Sequence, residues 1–175
     1  EITTLAAEGK AVIWIDGGLH STETVPPQAL IAAVHEWLTA EDPEALRVLN
    51  DTIILFAPLN PDGMELVSNW YMRNTDPLKR EFNSLPVLYQ KYVGHDNNRD
   101  WYSFTQVETQ LTVDKIHNVW HPQIVHDIHQ QGAYGSRLFL PPYMQPVEPN
   151  VPKQIVEGYT ELGNYMATKM RGLGY

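Results

Sequence analysis

Two short, unbroken apolar runs constrain this chain more than anything else in it. Ala11-Val12-Ile13-Trp14-Ile15-Asp16 ends at Gly17-Gly18, and Thr52-Ile53-Ile54-Leu55-Phe56-Ala57 ends at Pro58. Continuous apolar runs of this length, bounded by Gly and Pro, read as strands buried on both faces. Such strands need covering layers above and below. The intervening segment offers one: Pro26-Pro27 suits a first helical turn, and Leu30, Ile31, Val34 and Leu38 follow at helical spacing, predicting a helix from about Pro26 to Thr39. Strand, helix, strand is the rhythm of a parallel sheet.

The same reading continues along the chain. Asn60-Pro61-Asp62-Gly63 is expected as a turn, and the stretch from Asp76 to Gly94, broken by Pro77 and Pro86, as a long surface loop. Val107, Leu111, Ile116 and Val119 predict a helix over 105–120, Gln123 to His129 a third strand, and Leu138-Phe139-Leu140 a further one. Ile155, Tyr159, Leu162 and Met166 mark a last amphipathic helix from Pro152 to Met170. The expectation is one α/β domain over 1–175, a largely parallel sheet flanked by helices, with ligands beyond the carboxyl ends of its strands.

Charge and composition narrow the chemistry. Twelve Lys and Arg against 21 Asp and Glu leave a net charge of −9, which repels phosphate backbones and makes nucleic acid a poor partner. With no cysteine, any metal must be held by His, Asp or Glu. No run approaches the roughly 20 apolar residues of a membrane span. The sequence opens on Glu1-Ile2-Thr3-Thr4 without an initiating Met and closes on Arg171-Gly172-Leu173-Gly174-Tyr175 straight after a helical pattern, so it is expected to be a fragment.

His20-Ser21-Thr22-Glu23 lies just past the first strand, where an imidazole and a carboxylate three residues apart could reach one ion; taken alone, the spacing fits equally a loop His and a helix-leading Glu. Asp127-Ile128-His129 places another His at the same sheet edge. Two His and one Glu would leave a zinc position open for water, as in hydrolytic sites. His35, His117, His121 and His126 read as packed or solvent-facing. In Gly94-His95-Asp96-Asn97-Asn98-Arg99-Asp100, a guanidinium beside amides could bind an anion or form a solvated turn, and Arg73 could serve an oxyanion or simply face solvent.

In order along the chain, these segments resemble the zinc metallocarboxypeptidase family, and Gln130-Gln131-Gly132 with Leu138 to Pro142 resemble its bacterial branch. Gly18-Leu19-His20-Ser21-Thr22-Glu23 is similar to its first zinc signature, Asn60-Pro61-Asp62-Gly63 to its Asn-Pro-Asp-Gly turn, and Gly94, Asp96, Asn98 and Arg99 to its Gly-x-Asp-x-Asn-Arg segment. The resemblance implies a mixed, mostly parallel sheet, incomplete here on its C-terminal side. It implies one zinc ion on His20, Glu23 and His129, Asp96 orienting an imidazole, Asn98 and Arg99 gripping a terminal carboxylate, and Arg73 polarising the scissile carbonyl.

The implied activity is removal of a C-terminal residue from peptides or peptidoglycan stems, with secretion or a bacterial periplasm as the expected location. Deacylation of N-acyl amino acids, and an inactive peptide- or carbohydrate-binding relative, are the competing readings. In the family, the general-base Glu and a covering Tyr lie many tens of residues beyond the last ligand. Only 46 residues follow His129, and Glu148, Glu157 and Glu161 stand in the wrong contexts, so this chain is expected to bind zinc but turn over little.

Overall fold

The structure is a computed structural model that describes residues 8–81, 83–85, 95–132, 134–136 and 138–175. It contains two compact units, one up to Gln130 and one from Gln131.

The first unit is built on three parallel strands in the order β2-β1-β3: β1 Ala11–Gly17, β2 Thr52–Pro58 and β3 Ile124–Ile128. Gly17 pairs with Pro58 on one side and Ile128 on the other, so the three strands finish at one level. The loops leaving that edge are thereby brought side by side. Both apolar runs are strands, as the sequence predicts, but the expected burial on both faces is not met: β1 buries one face and its C-terminal end, and β2 is only half-buried along its length.

Alternation along β1 assigns its two faces. Trp14 and Asp16, 3% exposed each, look onto a cavity shared with Trp101, Thr112 and His117. Gly17 faces the other way: a Cβ there would stand 2.8 Å from Cβ of Pro26, in the first turn of α1, Val25–Leu38. Gly18 turns the chain off the strand with φ +77°, a left-handed conformation natural to glycine. Helix α1 lies on the sheet by its first turns, burying Pro26, Pro27 and Leu30, whereas Ile31 and Leu38 of the expected apolar stripe are 72% and 80% exposed.

Three other expectations are corrected. A helix not foreseen, α2 (Pro43–Asp51), starts where the Asp42 side chain accepts a hydrogen bond from Ala45 N. Asn60-Pro61-Asp62-Gly63 is no free turn but the start of α3, Pro61–Met72: Asn60 caps it by accepting from Gly63 N at 2.9 Å, and Pro61 needs no donor at the first position. Leu138-Phe139-Leu140 is irregular rather than a strand, since Pro141-Pro142 supply no N–H with which to continue a ladder.

The helix expected over 105–120 is present as α4, which runs as Val107–Leu111, a π-helical stretch Thr112–His117, and Asn118–Trp120. The expected long loop is described in part, with a 3₁₀ turn at Pro77–Lys79; Pro86 and Gly94 fall outside the described residues. The second unit is organised by α5, Lys153–Gly172, whose Tyr159 meets Tyr143 edge-on, with Phe139 stacked behind it. Among the described residues, no helix is long and apolar enough to cross a membrane.

Candidate metal centre

The loop after β1 brings His20 and Glu23 together, its turn closed by Glu23 N donating to the His20 carbonyl at 2.9 Å. The residue just beyond β3, His129, arrives from the neighbouring strand end. Nδ1 of His20 lies 2.9 Å from one Glu23 oxygen and Nδ1 of His129 3.1 Å from the other, with the two rings 4.9 Å apart. One ligand atom from each residue lies within 4.8 Å of the others. Ligands about 2.0–2.2 Å from a tetrahedral zinc sit roughly 3.3 Å from one another, so this spacing suits the ion.

The outward ring nitrogens strengthen the fit. Nε2 of His20 donates to Asp96 at 2.9 Å, and Nε2 of His129 donates to Asp127 at 2.9 Å. Each ring thus has a carboxylate behind it, the arrangement metal-bound histidines favour, while each Nδ1 faces Glu23 and would give up its proton to serve as a ligand. Gln130 N donates to Glu23 at 2.9 Å and fixes that carboxylate in turn.

The charges of this cluster follow from its contacts. Hydrogen bonds donated to the Asp127 and Glu23 carboxylates push the His129 imidazole up to about 10, and those donated to Glu23 and Asp96 raise His20. Burial alone would raise the Glu23 carboxyl, but bonds from His129, His20 and Gln130 N outweigh it and hold it at about 2. Behind the cluster, burial and the neighbouring Asp127 carboxylate raise Asp16 well above the usual carboxylate range. The side-by-side register of Asp16 and Asp127 on β1 and β3 makes that pairing unavoidable.

Of the other expected site residues, Asn98 stands at the cluster, its amide nitrogen 3.4 Å from His129 Nε2. Arg99 is exposed and donates to the carbonyl of Asn98. Arg73 is not brought to the cluster: its guanidinium lies 3.7 Å over the Trp70 ring and pairs with Glu81 at 3.3 Å. Glu148 accepts from Asn150 and Glu157 pairs with Lys153, both within the second unit. His35, His117, His121 and His126 do not join the metal-binding group found among the described residues.

Sequence reasoning missed the residue that organises the segment from His95 to Thr109. Asp100, fully buried, accepts from the backbone N–H groups of Thr105 and Gln106, from the hydroxyls of Ser103, Thr105 and Thr109, and from His95. Those bonds hold its carboxyl well below the usual range despite burial. The cluster of hydroxyl residues at 103, 105 and 109 around one acidic residue was the available signal.

Two imidazoles and one carboxylate at the carboxyl edge of a parallel sheet, with further carboxylates behind the imidazoles, form a group that could hold a metal ion. The profile of the zinc carboxypeptidase family matches residues 1–162, and the chain belongs to that family. Carboxypeptidase B of Helicoverpa zea is 30% identical over an alignment of 138 residues, which covers 66% of this chain and 31% of that relative. The chain thus spans about a third of the length of the curated relative it matches. No solved structure matches it.

Proposed function

We propose that the protein to which this chain belongs is a zinc-dependent carboxypeptidase that removes C-terminal residues from peptides. The observation that supports it best is the convergence of Nδ1 of His20, Nδ1 of His129 and the Glu23 carboxylate, with both Nε2 atoms held by Asp96 and Asp127. His20, Glu23 and His129 would hold the ion. When bound, zinc supplies a Lewis acid that polarises a carbonyl and acidifies water.

The remaining residues position the substrate. Asn98 and Arg99 lie on the 3₁₀ turn that opens beside His129, where an amide and a guanidinium can grip a terminal carboxylate together. That grip would select the end of a chain and bring the last peptide bond to the centre. Arg73 supplies a cation for the developing oxyanion once its pair with Glu81 opens. Both partners are at least a third exposed, so the pair itself is worth no more than about 1 kcal/mol, and Arg73 would also have to leave the Trp70 ring and the carbonyls of Trp70 and Glu81.

The test is metal content and substrate choice together. Elemental analysis after dialysis should find close to one zinc per chain, lost in His20→Ala and in His129→Ala. Full-length protein should cleave a peptide with a free C-terminus and spare its amidated form. Equal cleavage of both, or faster hydrolysis of N-acyl amino acids, would refute the reading.

A further inference from the structure

We infer that Asn60 and Asn97 are positioning residues for the metal centre, acting together through the backbone carbonyl of Leu19. Their side-chain amides both donate to that oxygen, at 3.1 Å and 2.6 Å. Asn60 is 0% exposed, Asn97 1% and Leu19 2%, so water does not compete for these bonds. A peptide oxygen has two lone pairs and can accept both donors. With both engaged, the plane of the peptide joining Leu19 to His20 is fixed, and with it the direction in which His20 leaves the chain. Because the turn from His20 to Glu23 closes on itself, the same clamp sets Glu23.

The two donors come from different parts of the sheet edge. Asn60 caps α3 with its oxygen and uses its nitrogen on Leu19. Asn97 sits between Asp96, which holds His20 Nε2, and Asn98, which stands beside His129. The clamp therefore ties the β1 loop to the start of α3 and to the 3₁₀ turn Asn97–Arg99 at the point where the ligands start.

The state of Asn97 argues that its N–H is the reason for its presence. Its Oδ1 is buried and has no hydrogen-bond partner among the described residues. A buried amide with half its polar atoms unmatched is a poor stabiliser. What the position provides is the bond to Leu19.

This inference rests on the metal reading of His20, Glu23 and His129, and its test separates the two. Asn60→Ser keeps an oxygen able to cap α3 but cannot reach Leu19. Asn97→Leu keeps the branched shape and removes the amide. Zinc affinity of each purified chain would be measured by competition with a chromophoric chelator, the cobalt-loaded absorption spectrum recorded, and urea unfolding of the metal-free proteins followed in parallel. Partners that orient metal ligands typically contribute 10–100-fold to affinity, so each variant should bind zinc at least about tenfold more weakly with a shifted cobalt spectrum. The double variant should lose less than the product of the single losses, because both act on one carbonyl. Folded variants with unchanged zinc affinity and cobalt spectrum would overturn the clamp, as would lower stability with unaltered binding. If only one variant folds, it decides. A wild-type chain that binds no zinc would overturn the metal reading and the clamp with it.

Discussion

Helix α5 contains two glycines five residues apart that should respond to the same substitution with opposite signs. Replacing a helical Gly by Ala ordinarily adds about 0.8–1 kcal/mol of stability. Gly158 is exposed, and a Cβ there meets nothing within 4 Å, so Gly158→Ala should show that gain undiminished. Gly163 is buried, and a Cβ there would stand 2.0 Å from the carbonyl oxygen of Pro141, 2.6 Å from its carbon and 3.1 Å from its Cα. The obstacle is backbone, which cannot swing aside as a side chain would, and either α5 or the 141 segment must shift by more than about 1 Å. Overpacking of this kind takes about 1–3 kcal/mol, and the severity of the clash points to the upper end. Against a propensity gain of about 1 kcal/mol, Gly163→Ala should be net destabilising by about 2 kcal/mol. The two variants should then differ by about 3 kcal/mol. Since propensity is common to both, the difference isolates the contact with Pro141. Urea unfolding followed by far-ultraviolet circular dichroism, with hydrogen exchange over 153–172, measures it. If Gly163→Ala proves as stable as Gly158→Ala, Pro141 does not pack on α5 in this way.

Zinc and protons should compete for the site: with His129 near 10 and His20 raised, binding at about pH 6 should release close to two protons, measurable by calorimetry in buffers of differing ionisation enthalpy. Glu23, held at about 2, should release none, and apparent affinity should rise with pH; affinity independent of pH would contradict the assignment of ligands. Asp100→Ala leaves the buried donors of Gln106 and Thr109 with no acceptor and should lower stability by about 1–3 kcal/mol for each in denaturant titrations. Because its folded-state pKa is depressed, the wild-type contribution of Asp100 is complete above the ordinary 3.8 and is lost as the pH falls below it, so the gap between wild type and variant should close in acid. Glu81→Ala, which removes an exposed ion-pair partner of Arg73, should change stability by less than about 1 kcal/mol.

The elements that could be read from the sequence are those whose signal is local. β1 and β2 are apolar from end to end, and Pro26-Pro27 marks the start of α1. Helix α2 escaped because it is only nine residues long and fully buries none of them: its stripe is short, Ala45, Val48 and Leu49, and half-buried, and its start is marked by Asp42-Pro43, a cap followed by a proline. The same cap-and-proline pair at Asn60-Pro61 was read as a turn because Asp62-Gly63 follows. Leu138-Phe139-Leu140 has a strand's composition but meets Pro141-Pro142 at once. For the site, His20, Glu23 and His129 were readable because ligand types at strand ends announce themselves. Asn60 and Asn97 were not, since their common partner is a backbone oxygen and carries no residue identity. The resting place of Arg73 on Trp70 and Glu81 depends on a fold-back of eight residues that composition does not encode.

The pairing of β3 against β1 sets an order in time. Glu23 and His129 meet across 106 residues of chain, and His20 and Asp96 across 76. A chain emerging from synthesis therefore carries two donors long before the third exists, and two donors hold a divalent ion poorly. With the proposed ligands, secure uptake of metal would wait until β3 has docked. The ion would then act as a late latch, loading only chains whose central strand has found both neighbours, so that metal content reports how many molecules have completed the sheet.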